Sequence, residues 1–159
     1  MALKPDRIEL PDGSRIKYFM NEIAEQGVVL ILDSPGGEGM DNPEASVSLP
    51  AGATGVPAGV LMNDVVNLNL TRQHLNQHQD EVQKGGKVTL LRHGVIVTDM
   101  INTGVALTVG QEAYYDAVGY FTNTPTADNG KDNNLSNQVG RFLSIEDADG
   151  YAKIEVDIN

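Results

Sequence analysis

Hydrophobic and polar positions alternate along much of this chain, which is the period of half-buried β-strands. Arg7-Ile8-Glu9-Leu10 and Arg15-Ile16-Lys17-Tyr18-Phe19 both follow that period, with Pro11-Asp12-Gly13-Ser14 between them. Pro presets φ, Asp bonds its own backbone and Gly accepts positive φ, so the linker reads as a turn. The pattern therefore predicts a β-hairpin over residues 7–20, preceded by an irregular arm at residues 1–6. Asn21 to Gln26 reads as one helical turn stopped by Gly27. Val28-Val29-Leu30-Ile31-Leu32 is apolar and rich in β-branched residues, as a buried strand is.

Residues 33–46 form a long Gly/Pro loop without periodicity, a length that usually carries function or mobility. Residues 47–61 read as irregular β-structure broken by Pro50, Gly52, Gly55, Pro57 and Gly59. Val65 to Leu70 alternates and predicts a strand. Thr71 to Val82 is polar and fits either a short helix capped by Thr71 or an extended loop. After a Lys84-Gly85-Gly86-Lys87 turn, Val88 to Thr98 gives the strongest strand signal in the chain. Gly94 in its middle predicts a bulge or tight bend. Residues 113–122 hold the main aromatic cluster and predict sheet pairing, and residues 123–137 form a polar loop. Val139–Ser144 and Tyr151–Ile158 predict two strands joined by an Asp147-Ala148-Asp149-Gly150 turn, a closing hairpin. The expected fold is mainly β: a small barrel-like or sandwich-like single domain with long Gly/Pro loops. Residues 1–26 are expected to form an N-terminal arm or hairpin, and residues 27–159 the β-rich domain.

Composition sharpens this picture. Seventeen glycines and frequent Asn and Asp suit short strands joined by tight turns. Cysteine is absent, which excludes a disulfide framework and any cysteine-based zinc site. The opening Met1-Ala2-Leu3-Lys4-Pro5-Asp6 has no apolar signal-peptide core. The longest apolar run is far short of the ~20 residues that span a bilayer. The expectation is a protein made in the cytoplasm, with no membrane partner.

Formal charge is -11, from 11 Lys+Arg against 22 Asp+Glu. So acidic a surface repels nucleic acid, whose binding rests on phosphate neutralisation. The acidity is uneven. Residues 1–70 hold 4 bases and 10 acids, and residues 96–159 hold 3 bases and 10 acids. Residues 71–95 hold Arg72, Lys84, Lys87 and Arg92 against Asp80 and Glu81, together with all three histidines, His74, His78 and His93. This basic island reads either as a surface with a separate task or as chance clustering on a solvated loop.

Motifs for chemistry fail on their own terms. His74 and His78 share the i, i+4 spacing of a zincin helix, but Leu75 stands where the general base belongs. The glycine-rich stretch Asp33-Ser34-Pro35-Gly36-Gly37-Glu38-Gly39 lacks a phosphate-binding lysine, and Glu38 opposes a phosphate. Asp147-Ala148-Asp149-Gly150 and Asp128 to Asn134 look slightly like calcium loops. Counting from Asp147, however, the twelfth position is Ile158 rather than a bidentate glutamate. No serine sits in a Gly-x-Ser-x-Gly elbow. Gly94-Val95-Ile96-Val97-Thr98-Asp99 approaches a dUTP-hydrolase element, but Val97 replaces the catalytic aspartate and no tyrosine follows. The expectation is a protein without catalysis, metal or cofactor.

A resemblance enters through residues 50–158. The Pro57-Ala58-Gly59 turn, the Asn67 and Asn69 strand, the Gly85-Gly86-Lys87-Val88 turn and the Val97-Thr98-Asp99 strand end occur in that order. Ala113-Tyr114 follows, then Val139-Gly140, Phe142-Leu143-Ser144 and Asp149-Gly150-Tyr151-Ala152-Lys153-Ile154. This succession is similar to the head-decoration (capsid cement) proteins of tailed bacteriophages, which are encoded beside major capsid genes. The resemblance implies a compact, usually trimeric β-domain on the exterior of the virion capsid, with the major capsid protein as partner. There it would bridge neighbouring subunits against internal DNA pressure. It also implies an N-terminal arm that adds a strand to the capsid surface. On that view the contact residues are Leu3, Arg7, Ile8 and Leu10 of the arm and Arg72, His74, His78, Lys84, Lys87 and Arg92 of the basic island. The rival readings are another virion part, such as a tail module, or a carbohydrate-binding adhesion module. With no Trp, three Phe and five Tyr, stacking platforms for sugars are scarce.

Overall fold

A computed structural model describes residues 3, 14–32, 46–52, 55–67, 81–102, 106–125 and 137–158. Among these residues every regular element is a strand. They are β1 (Arg15–Met20), β2 (Val29–Leu32), β3 (Ser46–Ser48), β4 (Pro57–Leu61), β5 (Asp64–Val66), β6 (Glu81–Gln83), β7 (Lys87–Leu91), β8 (His93–Thr98), β9 (Glu112–Tyr115), β10 (Phe121–Thr122), β11 (Gln138–Phe142) and β12 (Ala152–Asp157). The chain is a mainly β single domain, as the alternation and the turn chemistry predict.

Five strands close a small barrel in the order β1-β3-β2-β4-β7. Five more form a second sheet, β10-β9-β11-β12-β8, and β5 pairs with β6 in a parallel ribbon. Two apolar layers follow from this arrangement. Met20, Val28, Leu30, Val47, Leu61, Val88 and Leu90 fill the barrel. Val29, Val60 and Leu91 lie on the other side of their strands and meet Ile96, Tyr115, Phe121, Phe142, Ile154 and Val156 of the second sheet. Consecutive apolar pairs such as Val29-Leu30, Val60-Leu61 and Leu90-Leu91 arise because a stave between two cores buries both faces.

The strongest strand signal divides in two. Residues 87–98 are not one strand; β7 belongs to the barrel and β8 to the second sheet, and the chain changes sheet at Arg92, while Gly94 keeps regular pairing within β8. There the Arg92 N–H donates to the Ser14 carbonyl and the Arg92 carbonyl accepts from Ile158 N–H, at 2.8 and 2.9 Å. A bend at which one strand passes between packed sheets is a usual corner device.

The helical turn expected at Asn21–Gln26 does not form. Ala24 instead exchanges backbone hydrogen bonds with Val65, and the Gln26 N–H donates to the Asp64 carboxylate at 2.7 Å. Six residues cannot sustain a helix against such tertiary partners. Gly27 follows at φ +100°, where a Cβ would sit 2.8 Å from Thr98 Oγ1.

The closing hairpin forms as expected, with β11 antiparallel to β12. Its turn is held by Asp147, whose Oδ1 accepts from the Asp149 and Tyr151 N–H groups at 3.0 and 2.8 Å. The aromatic segment pairs too, β9 with β10, through a turn of the same make. Asp116 Oδ1 accepts from the Val118 and Tyr120 N–H groups at 3.0 and 2.9 Å. Two Asp-Ala-x-Gly sequences thus build two like turns.

Of the expected hairpin over residues 7–20, the described half is β1. It pairs antiparallel with β7 over five residues and parallel with β3 over two. Residues 15–20 of the segment expected as an arm are therefore a stave of the barrel, and residues 4–13 lie outside the described residues. Residues 33–45 of the loop expected over 33–46, Leu68 to Asp80 and residues 126–136 also lie outside them.

Candidate functional site

Of the ten contact residues expected from sequence, Leu3, Lys84, Lys87 and Arg92 are described. Arg7, Ile8, Leu10, Arg72, His74 and His78 fall outside the described residues. Leu3 is buried at 2 % exposure in the layer between barrel and second sheet and forms an isolated antiparallel bridge with Thr98. It serves the chain's own core, so the sequence's apolar arm residue is not displayed at this position. Leu3→Ala is expected to lower stability by about 2–3 kcal/mol, the usual loss for a truncated buried leucine. Urea unfolding checks this, and a change below about 0.5 kcal/mol would mean that Leu3 anchors nothing.

Lys84 lies exposed in the turn after β6, where Gly85 donates to the Met20 carbonyl and Met20 donates to that of Gly86. This fixes the turn against the end of β1. Lys87 opens β7 and holds its Nζ 5.3 Å from the centroid of the Phe19 ring on β1, within cation–π range. Arg92 is half-buried at the sheet-changing corner, and its Nε meets no hydrogen-bond acceptor.

The structure also joins to these residues two cations that sequence reasoning left out. Arg15 and Lys17 lie on β1, opposite Leu91 and Thr89 of β7. The signal for them was present in the alternation of residues 15–19, which puts both on the polar face. Their closeness to Lys87, about seventy positions along the chain, comes from strand pairing alone.

The outer face of the second sheet is differently made. Glu112, Arg141 and Glu155 stand opposite one another across β9, β11 and β12. A shallow cleft of about 160 Å³ opens there, lined by Gln138, Gly140, Arg141, Glu155 and Asp157. At its rim His93 Nδ1 and Asp157 Oδ1 are 2.9 Å apart. The cleft holds no serine, threonine or cysteine to act as a nucleophile. Among the described residues no group of three or more His, Asp or Glu is placed to hold a metal ion. The Asp147 turn spends its carboxylate on backbone N–H groups, as an Asx turn does.

One group on this side has a strongly displaced acidity. The Tyr114 hydroxyl donates to Glu112 Oε2 at 2.5 Å. That hydrogen bond, then burial and then the charge of Glu112, push the Tyr114 pKa up to about 12 from 10.0. The folded chain thus holds this proton more tightly than the unfolded chain does. The resulting stability is complete below pH 10 and is lost as pH rises through about 12. Tyr114→Phe is expected to remove this part of the alkaline destabilisation, measured as urea midpoints between about pH 9 and 11.5. An unchanged pH slope would refute the assignment.

Comparison with known families gives one finding. A family model described as structural cement protein (E217 gp24/Pam3 gp6) matches residues 22–157, nearly the whole β-domain. The match reaches further toward the N-terminus than the resemblance over residues 50–158. No curated protein matches.

Proposed function

We propose a shell-stabilising, capsid-binding role on one premise: the chain belongs to the phage structural cement protein family. Membership gives it a structural role in the phage capsid and a place in the virion. Beyond that, the chain sits on the outside of the shell and bridges neighbouring major capsid subunits, so that the lattice withstands the pressure of packaged DNA. It is made in the host bacterial cytoplasm and acts as a homotrimer. It uses no cofactor and performs no chemistry.

The family match is the observation that carries this reading, and the physical chemistry agrees with it. A net charge of -11 favours solubility of the free protein before it meets the shell. Among the described residues two internal apolar layers are filled by side chains such as Leu30, Leu61, Tyr115, Phe121 and Phe142, so the domain has a packed core of its own rather than being a folding-on-binding segment. A cement protein gains from such a core, because many modest contacts made by pre-organised copies add up across one shell.

The test is to melt purified expanded shells with and without the saturating protein while following the shell transition by calorimetry. The reading expects a higher transition temperature for decorated shells, and equal transitions would count against it. Light scattering of the free protein addresses the assembly state, with a mass about three times 17.1 kDa expected.

A further inference from the structure

The barrel staves β1 and β7 lie side by side over five residue pairs, from Arg15↔Leu91 to Phe19↔Lys87. Ile16 and Tyr18 pack toward the barrel interior. Alternation therefore turns Arg15, Lys17 and Phe19 of β1 outward, with Thr89 and Lys87 of β7 beside them. Ser46 of β3 stands next to Phe19 on the same face. None of these outward positions is a carboxylate. Lys84 lies at the Met20 end of this strip and Arg92 at the Ser14 end, each tied there by the backbone hydrogen bonds already described. Seven Lys and Arg are described, and five of them line this one strand pair; the other two are Arg141 and Lys153.

This concentration is unusual in a chain of net charge -11. Arg15, Lys17 and Lys87 are exposed, and none is paired with a carboxylate among the described residues. Like charges on neighbouring strands repel, so the strip costs the isolated domain stability. A ligand of opposite charge relieves that cost.

We propose that the outer face of β1 and β7 docks an acidic, extended segment of the capsid protein. This rests on the capsid-binding reading and adds to it the face used and the chemistry of the partner. Strand geometry sets the size of the complement. From Arg15 to Phe19 the strip runs about 14 Å at ~3.4 Å per residue, the length of a four- or five-residue extended segment. Carboxylates at alternate positions of that segment meet Arg15 and Lys17. The Phe19 ring gives an apolar foot and already holds the Lys87 ammonium in place. A duplex fits less well, because its phosphates continue past the strip onto an acidic body.

The experiment measures co-sedimentation with purified expanded shells at low salt, about 50 mM, and at about 500 mM, where surface charges are screened over a few ångströms. Wild type is expected to bind and to weaken at least about tenfold at the higher salt. The variant Arg15→Gln/Lys17→Gln/Lys87→Gln is expected to bind at least about tenfold more weakly at low salt and to lose most of the salt dependence. Arg141→Gln/Lys153→Gln, on the second sheet, is expected to bind as wild type does. If the triple variant misfolds by circular dichroism, Lys17→Gln alone and the wild-type salt titration carry the test. Binding that ignores both salt and the strip substitutions overturns this proposal while leaving capsid binding intact. Failure of the wild type to bind shells overturns the capsid reading, and this proposal with it. Tight duplex DNA binding by wild type that the triple variant loses overturns the polypeptide partner in favour of nucleic acid.

Discussion

Phe142→Ala is expected to cost about 4 kcal/mol of stability, within the range for truncating a buried phenylalanine. Phe142 is fully buried in the layer where Val29, Val60 and Leu91 of the barrel meet the second sheet. Its backbone is committed as well, since its N–H donates to the Gln111 carbonyl and its carbonyl accepts from Gly110 N–H, both at 2.8 Å. The surrounding frame therefore cannot collapse into the vacated space. Tyr115 and Phe121 are the other aromatic side chains of this layer, and the chain has no Trp. At roughly 2–4 °C per kcal/mol for a domain of this size, the melting temperature should fall by about 8–16 °C. Calorimetry and urea unfolding check this. A loss below about 1.5 kcal/mol would mean that the barrel and the second sheet are not joined through this residue.

Gly140→Ala is the second large expected effect, about 3 kcal/mol, at the upper end of overpacking costs. Here backbone meets backbone. A Cβ on Gly140 would lie 1.9 Å from the Glu155 carbonyl oxygen and 3.1 Å from Val156 Cα. Neither atom can turn aside as a side chain does, because β12 is pinned between β11 and β8. The close approach accompanies a register shift between Gln138 and Gly140, where β11 slips against β9. Such a bulge needs a residue without a side chain at its tightest point. The expected result is a lower urea midpoint with an unchanged slope, the mark of lost stability in a folded variant. A stability within about 0.5 kcal/mol of wild type would show that the strands can part at no cost.

These residues also mark how far the sequence could be read. The closing hairpin was legible because its determinants are local: alternation on both sides and an Asp-x-x-Gly turn whose side chain caps its own backbone. The same turn at Asp116–Gly119 lay within the aromatic run of residues 113–122, which read only as pairing in the sheet, because the apolar pattern hid the Asx geometry. The corner at Arg92 was not legible either. Both Leu90-Leu91 and Ile96-Val97 are apolar pairs, and nothing in the composition says that one pair belongs to a barrel strand and the other to a strand of the second sheet. Gly94, the residue that suggested a bend, instead takes a regular place opposite Val156. Asn21–Gln26 misled in the opposite direction, since its helical composition is overruled by hydrogen bonds to residues forty positions away.

The candidate interface divides in the same way. Lys84 and Lys87 stood out in sequence because they lie close together in an acidic chain. Arg15 and Lys17 join them only through the antiparallel pairing of β1 with β7, which no local pattern encodes. Leu3 shows the converse: an apolar residue near a terminus invites reading as a docking arm, yet it fills a place in the chain's own core beside Gly27 and Thr98. The family, in contrast, was legible from the order of turns and strands over residues 50–158, and the match over residues 22–157 extends it.

The central claim is that this chain decorates a phage capsid, and the most direct measurement of it is a binding isotherm on purified expanded shells. The account predicts saturable co-sedimentation at a fixed ratio of decorating chains to major capsid subunits. Protein that stays in the supernatant at every concentration, or that pellets without saturating, would contradict it.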